Sequence, residues 1–176
     1  MDTFVEQIVR KKKDAKEWLV IIGVLLAALL LTVVMWVYLG SLSAVLIVAV
    51  GYGAWWLITS QNKEYEYCVT EGDIDIDLIT AKRKRKRVVA VSGSKIEKLL
   101  PYAADVSLHG YQRVLVAAPS AKETGLWYFT YHSKKNGHTL IVFRPTERVL
   151  RALCGGLQNL QQLETKRAAS ALGITL

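Results

Sequence analysis

The sequence predicts a chain in two parts. A membrane α-helical hairpin comes first, and an α+β domain follows, an antiparallel barrel of six to seven strands closed by a C-terminal helix. Three observations carry this prediction. No charged side chain occurs between Trp18 and Ser60. Beyond Ser60 the apolar residues recur at every second position, the period of a half-buried strand. After Pro145 the spacing turns helical. The boundaries that follow are a lead-in at 1–17, the hairpin at 18–60, the strand-rich domain at 61–154 and a helical tail at 155–176.

Charge is distributed as this division requires. The 176 residues carry 23 Lys and Arg against 15 Asp and Glu, a net +8, of which +1 falls in residues 1–17 and +7 in residues 61–176. Trp18–Leu39 is an apolar run of 22 residues interrupted only by Thr32 and the aromatic tips. As a helix it spans about 33 Å, matching a hydrocarbon core of about 30 Å. No face of it is left for water, so a soluble amphipathic helix is excluded. Gly40–Ser43 forms a short polar turn, and Ala44–Thr59 is a second apolar run. With its flanking residues this run reaches about 27 Å, which an untilted span in a thin bilayer accommodates.

Trp18, Trp36, Tyr38, Trp55 and Trp56 lie near the ends of the runs, where amphipathic rings settle at the interface. Ala27 and Ala28 on the first helix, with Gly51 and Gly53 on the second, would allow close approach, or are simply small residues facing lipid. A cleaved signal peptide is the rival for the first run, but its core would be shorter and no second run would follow at once. Arg10, Lys11, Lys12, Lys13 and Lys16 precede the hairpin, Lys82–Arg87 follow it, and the turn is uncharged. The positive-inside rule then puts both termini in the cytoplasm. In the lead-in, Thr3 and Glu6 have capping-box spacing, and Phe4, Val5, Ile8 and Val9 form an apolar stripe. That pattern predicts a short amphipathic helix lying along the inner interface, the alternative being a frayed and solvated leader.

Within the domain, Glu64–Val69 and Asp73–Leu78 alternate about the turn Glu71-Gly72-Asp73, which predicts a hairpin with one apolar face. Lys82–Arg87 leads into a third strand, Val88–Val91. Ser92-Gly93-Ser94 breaks it, Ser94 is placed to cap a helical turn at Lys95–Leu100, and Arg113–Ala118 is a fourth strand. Leu126–Ser133 and His138–Arg144 are two more, joined across Asn136-Gly137, a strong hairpin signal. Val149, Leu150 and Leu153 then share a helical face. Gly155-Gly156 interrupts it, and Leu157, Leu160 and Leu163 continue the stripe.

This strand order, the basic stretch 82–87 before a strand and the segment Ser94-Lys95-Ile96-Glu97-Lys98-Leu99 together resemble the bacterial pleckstrin-homology-like (PH-like) domains. The resemblance covers about residues 61–154. It also extends to a family of small bacterial membrane proteins with two transmembrane helices before such a domain. It implies a PH-like barrel and carries no reaction or ligand with it.

The loudest polar feature is Lys82-Arg83-Lys84-Arg85-Lys86-Arg87. Facing a bilayer, it would attract anionic headgroups at roughly 1 kcal/mol per basic residue. Alternatively it is a solvated hairpin offset by Glu64, Glu66, Glu71, Asp73, Asp75 and Asp77. Interleaved aromatics for base stacking are missing from the run, which argues against nucleic acid. Asp73-x-Asp75-x-Asp77 departs from a calcium loop, with Leu78 and Lys84 where Gly and Glu belong. His109, His132 and His138 have no carboxylate or Cys at ligand spacing, although His132 and His138 could approach across their hairpin. Cys68 and Cys154 read as free thiols rather than a disulfide. Trp127, Phe129 and Tyr131 on one face of their strand, with Leu126 and Tyr128 on the other, read as core on both faces or as a protein-docking patch.

No catalytic set, cofactor motif or metal-ligand spacing emerges. The sequence therefore reads as a non-enzymatic module of the cell membrane, with no cofactor. Lys82, Arg83, Lys84, Arg85, Lys86 and Arg87 would contact anionic lipid or a protein partner. The alternative is an accessory or assembly subunit of a larger membrane complex, docking through the hairpin and through Leu157, Leu160 and Leu163.

Overall fold

The computed structural model describes residues 4–103, 106 and 110–176. Thr3 of the expected capping box and His109 lie outside the described residues. The chain divides into two compact units. One comprises Lys12–Lys63 and Thr80–Lys84; the other comprises Met1–Lys11, Glu64–Ile79 and Arg85–Leu176.

The first unit is built on two helices, α1 (Ala15–Leu39) and α2 (Ala44–Thr59), joined by a 3-10 turn at Gly40–Ser43. Asp14 precedes α1, and its backbone N–H donates to Glu17 Oε2 at 3.2 Å, so the capping box sits at the entry to the apolar run. The helical stretch Ala15–Thr59 is long and apolar enough to cross a membrane. Taken singly, α1 with 25 residues has spanning length. The second helix has 16 residues, about 24 Å. The two helices pack on each other. Among their less exposed residues are Ile21, Val24, Ala28, Thr32 and Met35 on α1 and Ile47, Val50, Ala54 and Ile58 on α2. These recur every three or four positions, as a pair of facing seams requires. The expected close approach at glycine is not realised, because a Cβ at Gly51 or Gly53 would meet open space.

The second unit contains two four-stranded sheets. In the first, β1 (Phe4–Arg10), β2 (Lys63–Thr70), β3 (Asp73–Thr80) and β4 (Lys84–Val91) lie in sequential order. In the second, β5 (Ile96–Pro101), β6 (Arg113–Ala117), β7 (Trp127–Ser133) and β8 (Gly137–Phe143) are ordered β5-β7-β8-β6. The sheets do not close into the expected barrel. The reason lies in β6, which pairs parallel with β8 instead of continuing an antiparallel meander. Alternation along a strand reveals its faces and not its direction.

Two local expectations are also corrected. The lead-in is not a helix: Phe4–Arg10 pairs antiparallel with β2 over its full length, from Phe4 opposite Thr70 to Arg10 opposite Glu64. Val5 and Val9 turn toward the core, and Phe4 and Ile8 stay exposed. The helical turn at Lys95–Leu100 is a strand as well, preceded by a 3-10 turn at Gly93–Lys95. Ile96 opposes Tyr131 and Leu99 opposes Phe129, with a register shift between Ile96 and Lys98. That bulge brings two residues three apart onto one face and so imitates helical spacing.

The core lies on both faces of the second sheet, as the strand pattern at 126–133 suggested. Trp127, Phe129 and Phe143 join Tyr67, Ile74 and Ile76 in the larger cluster, and Leu126, Tyr128, Leu140 and Val142 form a smaller one. Phe143 meets Tyr67 and Phe129 edge-on at 5.7 and 5.3 Å between ring centroids. The buried Tyr67 hydroxyl donates to the Ala117 carbonyl and accepts from the Arg144 N–H at 3.4 Å, a polar tie between the sheets.

Two helices close the domain, α3 (Glu147–Gly155) and α4 (Asn159–Ala171). Val149, Leu150 and Leu153 are buried as expected. The last helix packs on β5, and the buried Thr165 hydroxyl donates to the Leu99 carbonyl at 2.9 Å. Where α3 ends, three glycines from distant segments meet backbone to backbone. A Cβ on Gly156 would lie 2.5 Å from Gly72 Cα, and one on Gly93 would lie 2.4 Å from Gly72 O. Gly156→Ala and Gly93→Ala should therefore each cost about 1–3 kcal/mol of domain stability. Gly155→Ala, whose Cβ meets nothing, should leave the denaturation midpoint nearly unchanged.

Candidate membrane-contact surface

The basic run begins at the turn between β3 and β4. Arg83 N–H donates to the Thr80 carbonyl at 3.0 Å, and Ala81 and Lys82 between them hold φ of 53° and 56°. Those values are the left-handed region of a two-residue hairpin turn, here adopted by residues with side chains. The Ala81 N–H also donates to the Asn62 carbonyl at 2.7 Å, tying the turn to the residues that follow α2. Arg83 lies 5.5 Å from the centroid of the Trp55 ring, and Lys13 lies 5.6 Å from that of Trp18. Lys63 pairs with Glu17 at 3.1 Å. The entry to α1, the exit from α2 and the turn at Thr80–Lys84 thus share one end of the helical unit. Its two cation–aromatic pairs have the composition of an interfacial belt.

The six basic residues do not act alike. Arg85 pairs with Glu66 and lies 3.7 Å from Asp77, and Arg87 lies 3.2 Å from Asp75 and 3.4 Å from Asp77. The solvated-hairpin reading is therefore realised for the two arginines. Lys82, Lys84 and Lys86 are exposed and have no acidic partner among the described residues.

Behind the arginines is a row of carboxylates that the sequence presented only as an alternating stripe. Glu66 is buried, with 3% of its surface exposed. Burial holds its carboxyl above the ordinary carboxylate range, its hydrogen bond with Glu6 pushes the same way, and Arg85 opposes them. Burial also raises the Cys68 thiol, helped by the negative charge of Glu66 and Glu6. Cys68 and Cys154 are free thiols. The aspartates serve different ends. Asp73 accepts from Ser92 Oγ at 2.8 Å and from the Gly93 N–H at 3.1 Å, and Asp75 and Asp77 face the arginines.

His132 and His138 stand opposite each other in the β7–β8 register, as the sequence allowed. His138 Nε2 is 2.6 Å from Glu97 Oε2, a partner that spacing along the chain does not reveal. No metal-holding group of three His, Cys, Asp or Glu occurs among the described residues. The leucine stripe is split. Leu157 is 5% exposed and belongs to the core, whereas Leu160 and Leu163 are 75% and 55% exposed on α4. Leu157 is thus withdrawn as a docking residue, because the break at Gly155-Gly156 separates it from the phase of α4.

The model of one family, described as Bacterial PH-like domain (DUF6106), matches residues 1–158. No curated protein and no solved structure matches the chain.

Glu66 gives the domain a testable pH dependence. A carboxyl whose folded pKa is raised adds stability that is complete below its unfolded pKa and is lost as pH rises through the folded value. Glu66→Gln imitates the protonated form. Its stability relative to the native chain should therefore increase between about pH 4 and about pH 7 when denaturation midpoints are compared. A constant difference across that range would refute the assignment.

Proposed function

The chain belongs to the bacterial PH-like domain family, and on that footing we propose that it is a membrane-anchored, non-enzymatic binding module that contacts anionic lipid headgroups at the inner leaflet. One observation carries the reading. The turn bearing Lys82, Arg83 and Lys84 belongs to the helical unit, at the end where Trp18 and Trp55 lie. A tether at that position makes modest intrinsic affinity sufficient, since the local concentration of headgroups is already high.

The pairing of β1 with β2 supports a two-span topology. Arg10 is opposite Glu64, so the chain leaves the sheet for the helices and returns to it at the same point. Whatever lies between must cross a bilayer an even number of times. With its flanking serines α2 reaches about 27 Å, and the cations on either side of the helices favour the cytoplasm for both ends. A reporter fused after Leu176 should be active only in the cytoplasm, and activity confined to the outer side would sink this topology.

Lysine footprinting of the full chain in nanodiscs tests the lipid contact. Lys82, Lys84 and Lys86 should react several-fold more slowly in anionic than in zwitterionic discs, with the protection removed by high salt. Equal reactivity in both would overturn the proposal.

A second reading, an accessory subunit of a larger complex, is favoured by the exposed pair Leu160 and Leu163. A protein that co-purifies in mild detergent and is lost from a Leu160→Gln, Leu163→Gln variant would support it. Retention of that protein would count against it.

A further inference from the structure

We infer that the surface presented to the bilayer reads charge density rather than a particular headgroup, because the arginines that could recognise one phosphate group bidentately are engaged elsewhere. The inference rests on the reading of the basic run as a lipid contact and specifies its ligand class. The run divides between the two units of the chain. Thr80–Lys84 belongs with the helices, and Arg85 onward belongs with the domain. Within the domain, Arg85 and Arg87 serve carboxylates that are themselves buried, Glu66 at 3% and Asp77 at 7% exposure. A buried carboxylate that loses its cation keeps a desolvated charge that nothing offsets, so those arginines are held where they are.

Within the helical unit, the Arg83 guanidinium stands against the Trp55 ring, and the exposed cations of the run there are Lys82 and Lys84. An ammonium is a compact point charge on a flexible stem, without the planar fork that matches two phosphate oxygens at once. Lysines of this kind follow the local density of anions and gain little from how the phosphates are arranged on a headgroup. The class of ligand is therefore an anionic bilayer surface, with monoanionic glycerophospholipids fully sufficient. Arg85 and Arg87 are positioning residues for the sheet.

The experiment uses the full chain in nanodiscs of two compositions with equal net surface charge. One contains a monoanionic phosphatidylglycerol and the other a polyphosphorylated inositol lipid. Amine-reactive and arginine-reactive footprinting are read together by mass spectrometry. Protection of Lys82 and Lys84 should agree within about twofold between the two compositions, and Arg85 and Arg87 should react equally in anionic and zwitterionic discs. Lipids retained on extraction give a second measure. Lys82→Gln with Lys84→Gln should reduce the enrichment of anionic lipid about tenfold or more, and Lys82→Arg with Lys84→Arg should preserve it.

A tenfold preference for the polyphosphorylated lipid at equal charge would overturn the inference. Protection of Arg85 and Arg87 matching that of the lysines would also overturn it. Absence of lysine protection in every anionic disc would instead refute the lipid reading on which it stands. The footprints are taken on the native chain, so they do not depend on the folding of any variant.

Discussion

The pairing of β1 with β2 is the constraint on which the rest of the chain depends. These strands are neighbours in the sheet, but the two helices lie between them in sequence. An unstructured insertion of that length would oppose closure by several kcal/mol, since closure entropy grows with the logarithm of loop length. Here the insertion folds back on itself. α1 packs against α2, and Lys63 meets Glu17 at the end where the chain enters and leaves. The insertion therefore presents its two ends as a ready-made pair, and the strands that continue from them need little further ordering.

A consequence appears in the electrostatics of the first sheet. Adding β1 at its edge brings Glu6 beside Glu66, and burial together with that neighbour holds the Glu66 carboxyl above the ordinary carboxylate range. Arg85 and Arg87 offset this row from β4. Two of the six cations in the most basic segment of the chain are thus committed to cancelling charge that the fold itself concentrates. Composition registers a strongly basic run, while the structure shows neutralisation on the sheet and, in the helical unit, Lys82 and Lys84 with no acidic partner among the described residues. Net charge in a sequence overstates what a partner encounters whenever oppositely charged strands are neighbours.

How much was legible follows from which patterns have a single physical cause. The uncharged stretch from Trp18 to Ser60 has one, and the helices are where it puts them. Asn136-Gly137 and Glu71-Gly72 marked two hairpins, because turns that require positive φ leave a signature in residue type. The lead-in had two causes. Phe4, Val5, Ile8 and Val9 fit a helical face, yet Val5 and Val9 also fit one side of a strand, and only the partner strand far along the chain decides between them. The segment at Ile96–Leu99 misled because a bulge reproduces helical spacing. The open barrel could not be read at all, since the direction in which β6 joins β8 is fixed by its connections and not by its own residues.

The leucines of the tail show how one close contact controls what the surface presents. Gly156 terminates α3 because its Cα lies against Gly72, in the turn between β2 and β3, where any side chain would collide. The chain must therefore leave the helix there. Leu157 follows at once and drops into the core. When helical structure resumes at Asn159, Thr165 and Ala169 face β5, which rotates Leu160 and Leu163 outward. A continuous helix from Glu147 would have kept Leu157, Leu160 and Leu163 near one face, as the sequence suggests. The exposed apolar pair is thus set by a backbone contact between glycines more than eighty residues apart. It arises from where α4 restarts rather than from its own pattern.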